Sequence, residues 1–162
     1  MYHSKTLSLL VGLCLATSVG AADIVRRPSP GFPIASSVTV PAGAELLFVS
    51  GTLADVAKAE APAGSIERLG DTETQARSVL AKIDAQLRAA GYSLGDVVRM
   101  NVFLVGDPGK GGGMDFAGLM KAYSEQFGTA AQPSLPARTT VQVAGLPLPG
   151  ALVEIEVIAA RR

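Results

Sequence analysis

The sequence predicts an α+β domain, α/β in the broad sense: a mixed sheet with two helices on one face, in the order β-β-α-β-α-β-β. Three observations carry this. Residues 71–90 and 115–127 hold apolar residues at helical spacing. Short runs rich in β-branched residues surround them, bounded by Gly, Pro and Asp. Each helix shows a single apolar stripe, so it covers a sheet with one side and meets water with the other. At 162 residues the chain is one domain with room for a short appendage.

The appendage is N-terminal. Lys5 gives a basic start, residues 6–16 are mostly apolar, and Val19-Gly20-Ala21-Ala22 offers small residues for a cut after Ala21 or Ala22. This is the pattern of a secretory signal peptide over residues 1–22. The apolar run is too short for a membrane-spanning helix, which needs about 20 residues. The mature chain is therefore expected to be exported, periplasmic or secreted, and free of the membrane. The single His and single Cys, His3 and Cys14, both fall in this segment. Without them Ser-His-Asp and Cys-His catalysis, His- or Cys-ligated zinc and internal disulfides are excluded. Fourteen basic residues balance fourteen acidic ones, which argues against nucleic acid as a partner.

Residues 23–32 are rich in Pro and Gly and read as an extended lead-in to a domain spanning 33–162. Residues 37–40 form a short strand, Pro41-Ala42-Gly43-Ala44 a turn, and residues 45–50 a second strand ended by Gly51. Residues 57–70 show no period and read as loop. In the first helix Ala76, Val79, Leu80, Ile83, Leu87 and Ala90 share a face; Asp71 or Thr72 caps its start and Gly91 stops it. Gln75 reads as a surface or interface contact. Residues 97–105 form a strand with Val98, Met100, Val102 and Leu104 on its apolar face.

Residues 106–113 (GDPGKGGG) read as a flexible loop with Lys110 in solvent. No register supplies the Lys and hydroxyl of a phosphate-binding P-loop. The second helix places Phe116, Leu119, Tyr123 and Phe127 on one face, and Tyr123 and Phe127 read as core. Strands over 138–144 and 151–159 close the chain.

Polar chemistry concentrates on these last two strands. Alternation groups Arg138, Thr140 and Gln142 on one face, and Glu154 and Glu156 on one face of the other strand. If the two strands are neighbours, all five residues meet on the sheet face that the helices leave open. Two readings stand. One is a solvated face with cross-strand ion pairs, in which Glu156 partners Arg138 or Arg99. The other is a cleft with a guanidinium for an anion and a carboxylate for proton transfer.

The motifs also resemble a known family. Leu47-Phe48-Val49-Ser50-Gly51, Thr74-Gln75 with Leu87-Arg88-Ala89-Ala90-Gly91, and Asp96 through Leu104 are similar, in order, to its segments. So are Asp115-Phe116 with Tyr123 and Phe127, Pro136 through Ala144, and Val153 through Ala159. Together they cover residues 33–161. The chain resembles the Rid (reactive intermediate deaminase, RidA/YjgF-like) family, in its exported branch with a longer Gly-rich loop. The resemblance implies a chorismate-mutase-like fold, a homotrimer with clefts between subunits, and hydrolysis of enamines and 2-imino acids to keto acids and ammonia. It implies no cofactor. It gives Arg138 the grip on the substrate carboxylate, Glu154 the attacking water, and Gly51 and Thr140 places lining the cleft. The chain departs from the family at Pro33 to Val38, which lacks the usual cleft Tyr, and at Met120, where many members carry Asn. These departures keep a second function open: a non-catalytic trimer that binds a small carboxylate or aromatic acid in the same cleft.

Overall fold

The computed structural model describes residues 23–162. The expected signal peptide, residues 1–22, lies outside the described residues. The chain after it does not begin as a mere lead-in. Strand β1 (Val25–Ser29) pairs antiparallel with β2 (Phe32–Thr39) through a two-residue turn in which Gly31 takes a positive φ of 77°. The Pro-rich stretch thus forms an edge strand, a place where Pro28 and its missing N–H are tolerated.

Strand β3 (Glu45–Leu53) follows, then a short helix α1 (Ile66–Leu69) within the stretch expected to be loop. Helix α2 (Thr72–Ala89) starts at Asp71, whose side chain accepts from the N–H of Thr74 at 2.9 Å. Strand β4 (Val97–Val105), helix α3 (Phe116–Ser124), strand β5 (Ala137–Val143) and strand β6 (Val153–Arg161) complete the order. The six strands form one mixed sheet, β1-β2-β5-β4-β6-β3, parallel at β2/β5 and β5/β4 and antiparallel elsewhere. The predicted α+β class holds, with one strand and one short helix more than the sequence pattern showed.

Helices α2 and α3 lie on one face of this sheet. Val79, Leu80, Ile83 and Leu87 of α2 pack with Leu119 and Tyr123 of α3 against Met100, Val102, Leu104, Ile155 and Val157. Each large apolar side chain buried here contributes roughly 1.5–3 kcal/mol. The expected apolar face of β4 needs one correction. A bulge at Val98 lets Val97 enter this core, while Val98 borders the other face beside Arg99 and Ile158.

Two further expectations change. Gln75 is not on the surface: it is fully buried. Its amide donates to the carbonyls of Gly70 (2.8 Å) and Gly150 (3.0 Å), and its oxygen accepts from the N–H of Leu152 (2.8 Å). It ties the start of α2 to the entry of β6. Residues 106–113 are a built loop rather than a slack one. The Asp107 N–H donates to Gly113, its carbonyl accepts from Lys110 and Gly112, and its carboxylate from the Gly109 N–H. Among the described residues no helix is long and apolar enough to cross a membrane.

Candidate functional site

The position of β4 decides where the charged residues go. It runs between β5 and β6, so the last two strands are not neighbours. Met100 of β4 is the register partner of Arg138 on one side and of Val157 on the other. Arg138 therefore shares the helix-covered face with Val157. Glu154 and Glu156 alternate with the buried Val153, Ile155 and Val157 and take the opposite face. The expected meeting of Arg138, Thr140, Gln142, Glu154 and Glu156 on one face does not occur within a chain. Alternation along each strand was read correctly, but the register through β4 aligns Arg138 and Thr140 with Val157 and Ile155 rather than with the glutamates.

Two separate candidate groups result. The first is on β5 beneath the edge of α3. The Arg138 guanidinium lies over the Tyr123 ring at 4.3 Å and near Phe116 at 5.7 Å. Its Nη2 lies 3.2 Å from the sulfur of Met120. No carboxylate pairs with it among the described residues. Its Nη1 is buried with no hydrogen-bond partner, and so is the hydroxyl of Thr140 two residues along the same face. Gln142, two residues further, accepts from the Met114 N–H at 2.9 Å and donates to the Gly112 carbonyl at 3.1 Å. The glycine loop is thereby fastened to the strand beside this group.

Burial pushes the Tyr123 hydroxyl up to about 12, opposed by the neighbouring Arg138 cation. The hydroxyl donates to the Pro33 carbonyl at 2.9 Å. Tyr123 is thus a core residue, as expected, and also the floor under Arg138. Burial draws the Arg138 guanidinium below its ordinary value, opposed by the electrostatic effect of Tyr123.

The second group is on the other face, at a bulge in β3. Val49 pairs with Val157 and Thr52 with Ile155, so Ser50 and Gly51 share an extra residue's width. Glu154 reaches across this bulge. A Cβ added to Gly51 would collide with Glu154 Oε1, so glycine is what allows the carboxylate to lie there. Gly51 and Glu154 therefore belong together, as do Arg138 and Thr140. Nearby, Asn101 links Arg99 to Glu156. It accepts from Arg99 Nε at 3.1 Å and donates to Glu156 at 2.7 Å. Arg99 also donates to the Thr139 hydroxyl at 2.9 Å. Glu156 is thus tied to Arg99 through Asn101, and not to Arg138. This network borders a cavity of about 390 Å³ with Phe48, Ser50 and Ile158. Asn101 carried no signal in the sequence beyond being a polar residue in an apolar strand.

Among the described residues no cluster of His, Cys, Asp and Glu has the makings of a metal site. The arrangement can hold an anion at Arg138 and place a carboxylate at Glu154.

The fold is that of a mixed α+β protein of the YjgF type, and comparison with known proteins agrees. The family model described as endoribonuclease L-PSP matches residues 33–161. A RutC family protein of Pyrococcus horikoshii is 36% identical over 134 residues, covering 83% of this chain and 91% of that one. A 2-iminobutanoate/2-iminopropanoate deaminase of Salmonella typhimurium is 41% identical over 92 residues, 57% of this chain and 66% of the relative. The crystal structure of Escherichia coli TdcF with bound serine superposes with a TM-score of 0.55 at 33% identity, covering 85% of this chain and 94% of that chain. The chain belongs to the endoribonuclease L-PSP family, the Rid or YjgF-like group whose motifs it resembles.

Proposed function

We propose that this chain hydrolyses reactive 2-imino acids and their enamine tautomers to 2-keto acids and ammonia. The observation that carries the reading is the state of Arg138: a guanidinium with no carboxylate partner, whose Nη1 and neighbouring Thr140 hydroxyl are buried and unpartnered. Buried polar atoms without partners are rare in native folds and want an explanation. A substrate carboxylate supplies it, since Arg is suited to a two-point grip on that group. Relatives named as deaminases and a relative crystallised with serine support a small amino-acid-like ligand.

The chemistry asks little of the protein. A protonated C=N carbon is already electrophilic. Water adds to it, the nitrogen takes a proton, and the tetrahedral adduct collapses to the carbonyl with loss of ammonia. Arg138 and Thr140 hold the substrate, and Glu154 orients the water and relays its proton. Positioning and general base catalysis are sufficient in kind, and no step calls for a cofactor.

Arg138 and Glu154 lie on opposite faces of one sheet, so the reading includes assembly. The face bearing Glu154 also exposes Phe48, at 68%, and Leu46, at 47%. A homotrimer with clefts between subunits covers these residues and brings Glu154 and Gly51 of one subunit to Arg138 and Thr140 of the next. The reading also includes export, supported by Lys5 and the apolar run over 6–16.

The test uses the mature chain with 2-imino acids made in situ by an amino-acid oxidase. Wild type is expected to accelerate imine loss and keto-acid formation, and Arg138→Ala to return both to the rate without protein. The absence of the family's cleft Tyr at Pro33 to Val38, and the Met120 sulfur against Arg138 where many members carry Asn, favour a second reading, a trimer that binds small carboxylates without turnover. It predicts a carboxylate-dependent rise in Tm with no acceleration.

A further inference from the structure

Among the described residues the hydrogen-bond acceptor beside the Arg138 guanidinium is a sulfur: that of Met120, 3.2 Å from Nη2. A thioether is a weak acceptor. Oxidation by one oxygen atom makes it a sulfoxide, which is polar. Facing a guanidinium, the sulfoxide oxygen takes a charge-assisted hydrogen bond. The Met120 side chain turns about three bonds, so it can aim that oxygen. The oxygen then occupies the N–H groups that a substrate carboxylate needs.

The three methionines of the described residues stand in three settings. Met100 is fully buried in the core. Met114 is 38% exposed and is tied to β5 through its backbone N–H, which donates to Gln142. Met120 is partly buried, and its sulfur meets a cation. A small oxidant such as hydrogen peroxide can react there. A sulfur lone pair attacks one peroxide oxygen, an S–O bond forms and the O–O bond breaks. Hydroxide leaves and becomes water with the proton shed by the transferred oxygen. The sulfur gives up two electrons and the peroxide takes them. Nη1 of Arg138 shares its carbon with Nη2 and is buried without a partner, so a donor is within reach of the departing oxygen.

We propose that Met120 is a site of reversible oxidation, at which peroxide makes a sulfoxide that caps Arg138 and excludes carboxylates. This role rests on the carboxylate grip assigned to Arg138 under the deaminase reading, and not on turnover. An oxidase that makes a 2-imino acid from an amino acid and dioxygen releases one hydrogen peroxide with each imine. Oxidant and substrate then arise together.

The test treats the mature chain with hydrogen peroxide, removes the excess with catalase and locates sulfoxides by peptide mass spectrometry. The dose is kept below the one at which the buried Met100 reacts, so the core stays intact. Oxidised wild type is expected to show a KM for 2-imino acids raised about tenfold or more, with kcat kept. It is also expected to lose the rise in Tm that pyruvate gives the reduced protein. Methionine sulfoxide reductases of both epimer specificities are expected to restore both readouts. Peroxide is expected to change neither in Met120→Leu, and to act on Met114→Leu as on wild type. Met120 still reduced when Met100 begins to react, or oxidised with KM and pyruvate shift unchanged, overturns this inference while the deaminase reading stands. So does a full response in Met120→Leu. If no imine is accelerated but pyruvate still raises the Tm, the deaminase reading falls and the melts decide this inference. Absence of both acceleration and pyruvate shift overturns the two together.

Discussion

Arg138 stands near the start of β5 with Thr140 and Gln142 in alternation after it, and this polar face made it legible as a functional candidate. The sequence could not show what surrounds it. Tyr123, Phe116 and Met120 come from a helix whose register over β5 is a tertiary fact. The hydroxyl of Thr140 poses a sharper question. It is buried and unpartnered, so it weakens the free protein unless something binds there. Thr140→Val keeps the shape and removes the orphan. The variant is therefore expected to melt at the same temperature as wild type or up to about 1 kcal/mol more stably. Its KM for imino acids is expected to rise, because the ligand's hydrogen bond is lost. Melting and kinetics on the same sample check both. A marked loss of stability would mean that the hydroxyl has a structural partner.

At the scale of elements, local pattern found the helices well and the sheet order poorly. Helix α2 runs from Thr72 to Ala89 where residues 71–90 were expected, because capping and 3.6-residue spacing are local signals. Strand β1 was missed because VRRPS has no clean alternation and contains a proline. The insertion of β4 between β5 and β6 is a non-local choice, and no period in either strand encodes it. The burial of Gln75 is equally hidden, since two of its three partners, Gly150 and Leu152, lie on a distant segment. The cap of α2 makes a pH prediction. Bonds from Thr74 hold the Asp71 carboxyl below its ordinary value, with smaller help from Lys121 and Lys110. A carboxyl depressed in the folded state stabilises the fold above its unfolded pKa, and that contribution fades as pH falls through the folded value. Asp71→Ala is thus expected to cost about 1 kcal/mol at neutral pH. The gap from wild type should narrow as pH falls through the carboxylate range, as seen in urea melts taken at a series of pH values. A gap that stays constant with pH would show that the cap works without its charge.

For the whole molecule, the decisive fact is that the two pairs of candidate residues lie on opposite sides of the sheet. Arg138 and Thr140 face the helices at β5, while Glu154 and Gly51 occupy the opposite face at the β3 bulge. Two different surfaces of identical chains that complete one another make a heterologous interface, and such an interface closes into a ring when its rotation allows. If the clefts of the proposed trimer form in this way, each draws Arg138 from one subunit and Glu154 from its neighbour. This arrangement predicts complementation. Arg138→Ala and Glu154→Gln are each expected to be inactive alone. When the two are unfolded together in equal amounts and refolded, about one-quarter of the clefts join an intact Arg138 to an intact Glu154, and activity should return to about that fraction of wild type. If both residues served one cleft from the same chain, every cleft in the mixture would carry one defect and activity would stay at the level of the separate variants. A partner substitution at the exposed Phe48 sharpens the result. Phe48→Asp sets a charge on the face to be covered, so it is expected to yield monomers by light scattering and to abolish the recovery.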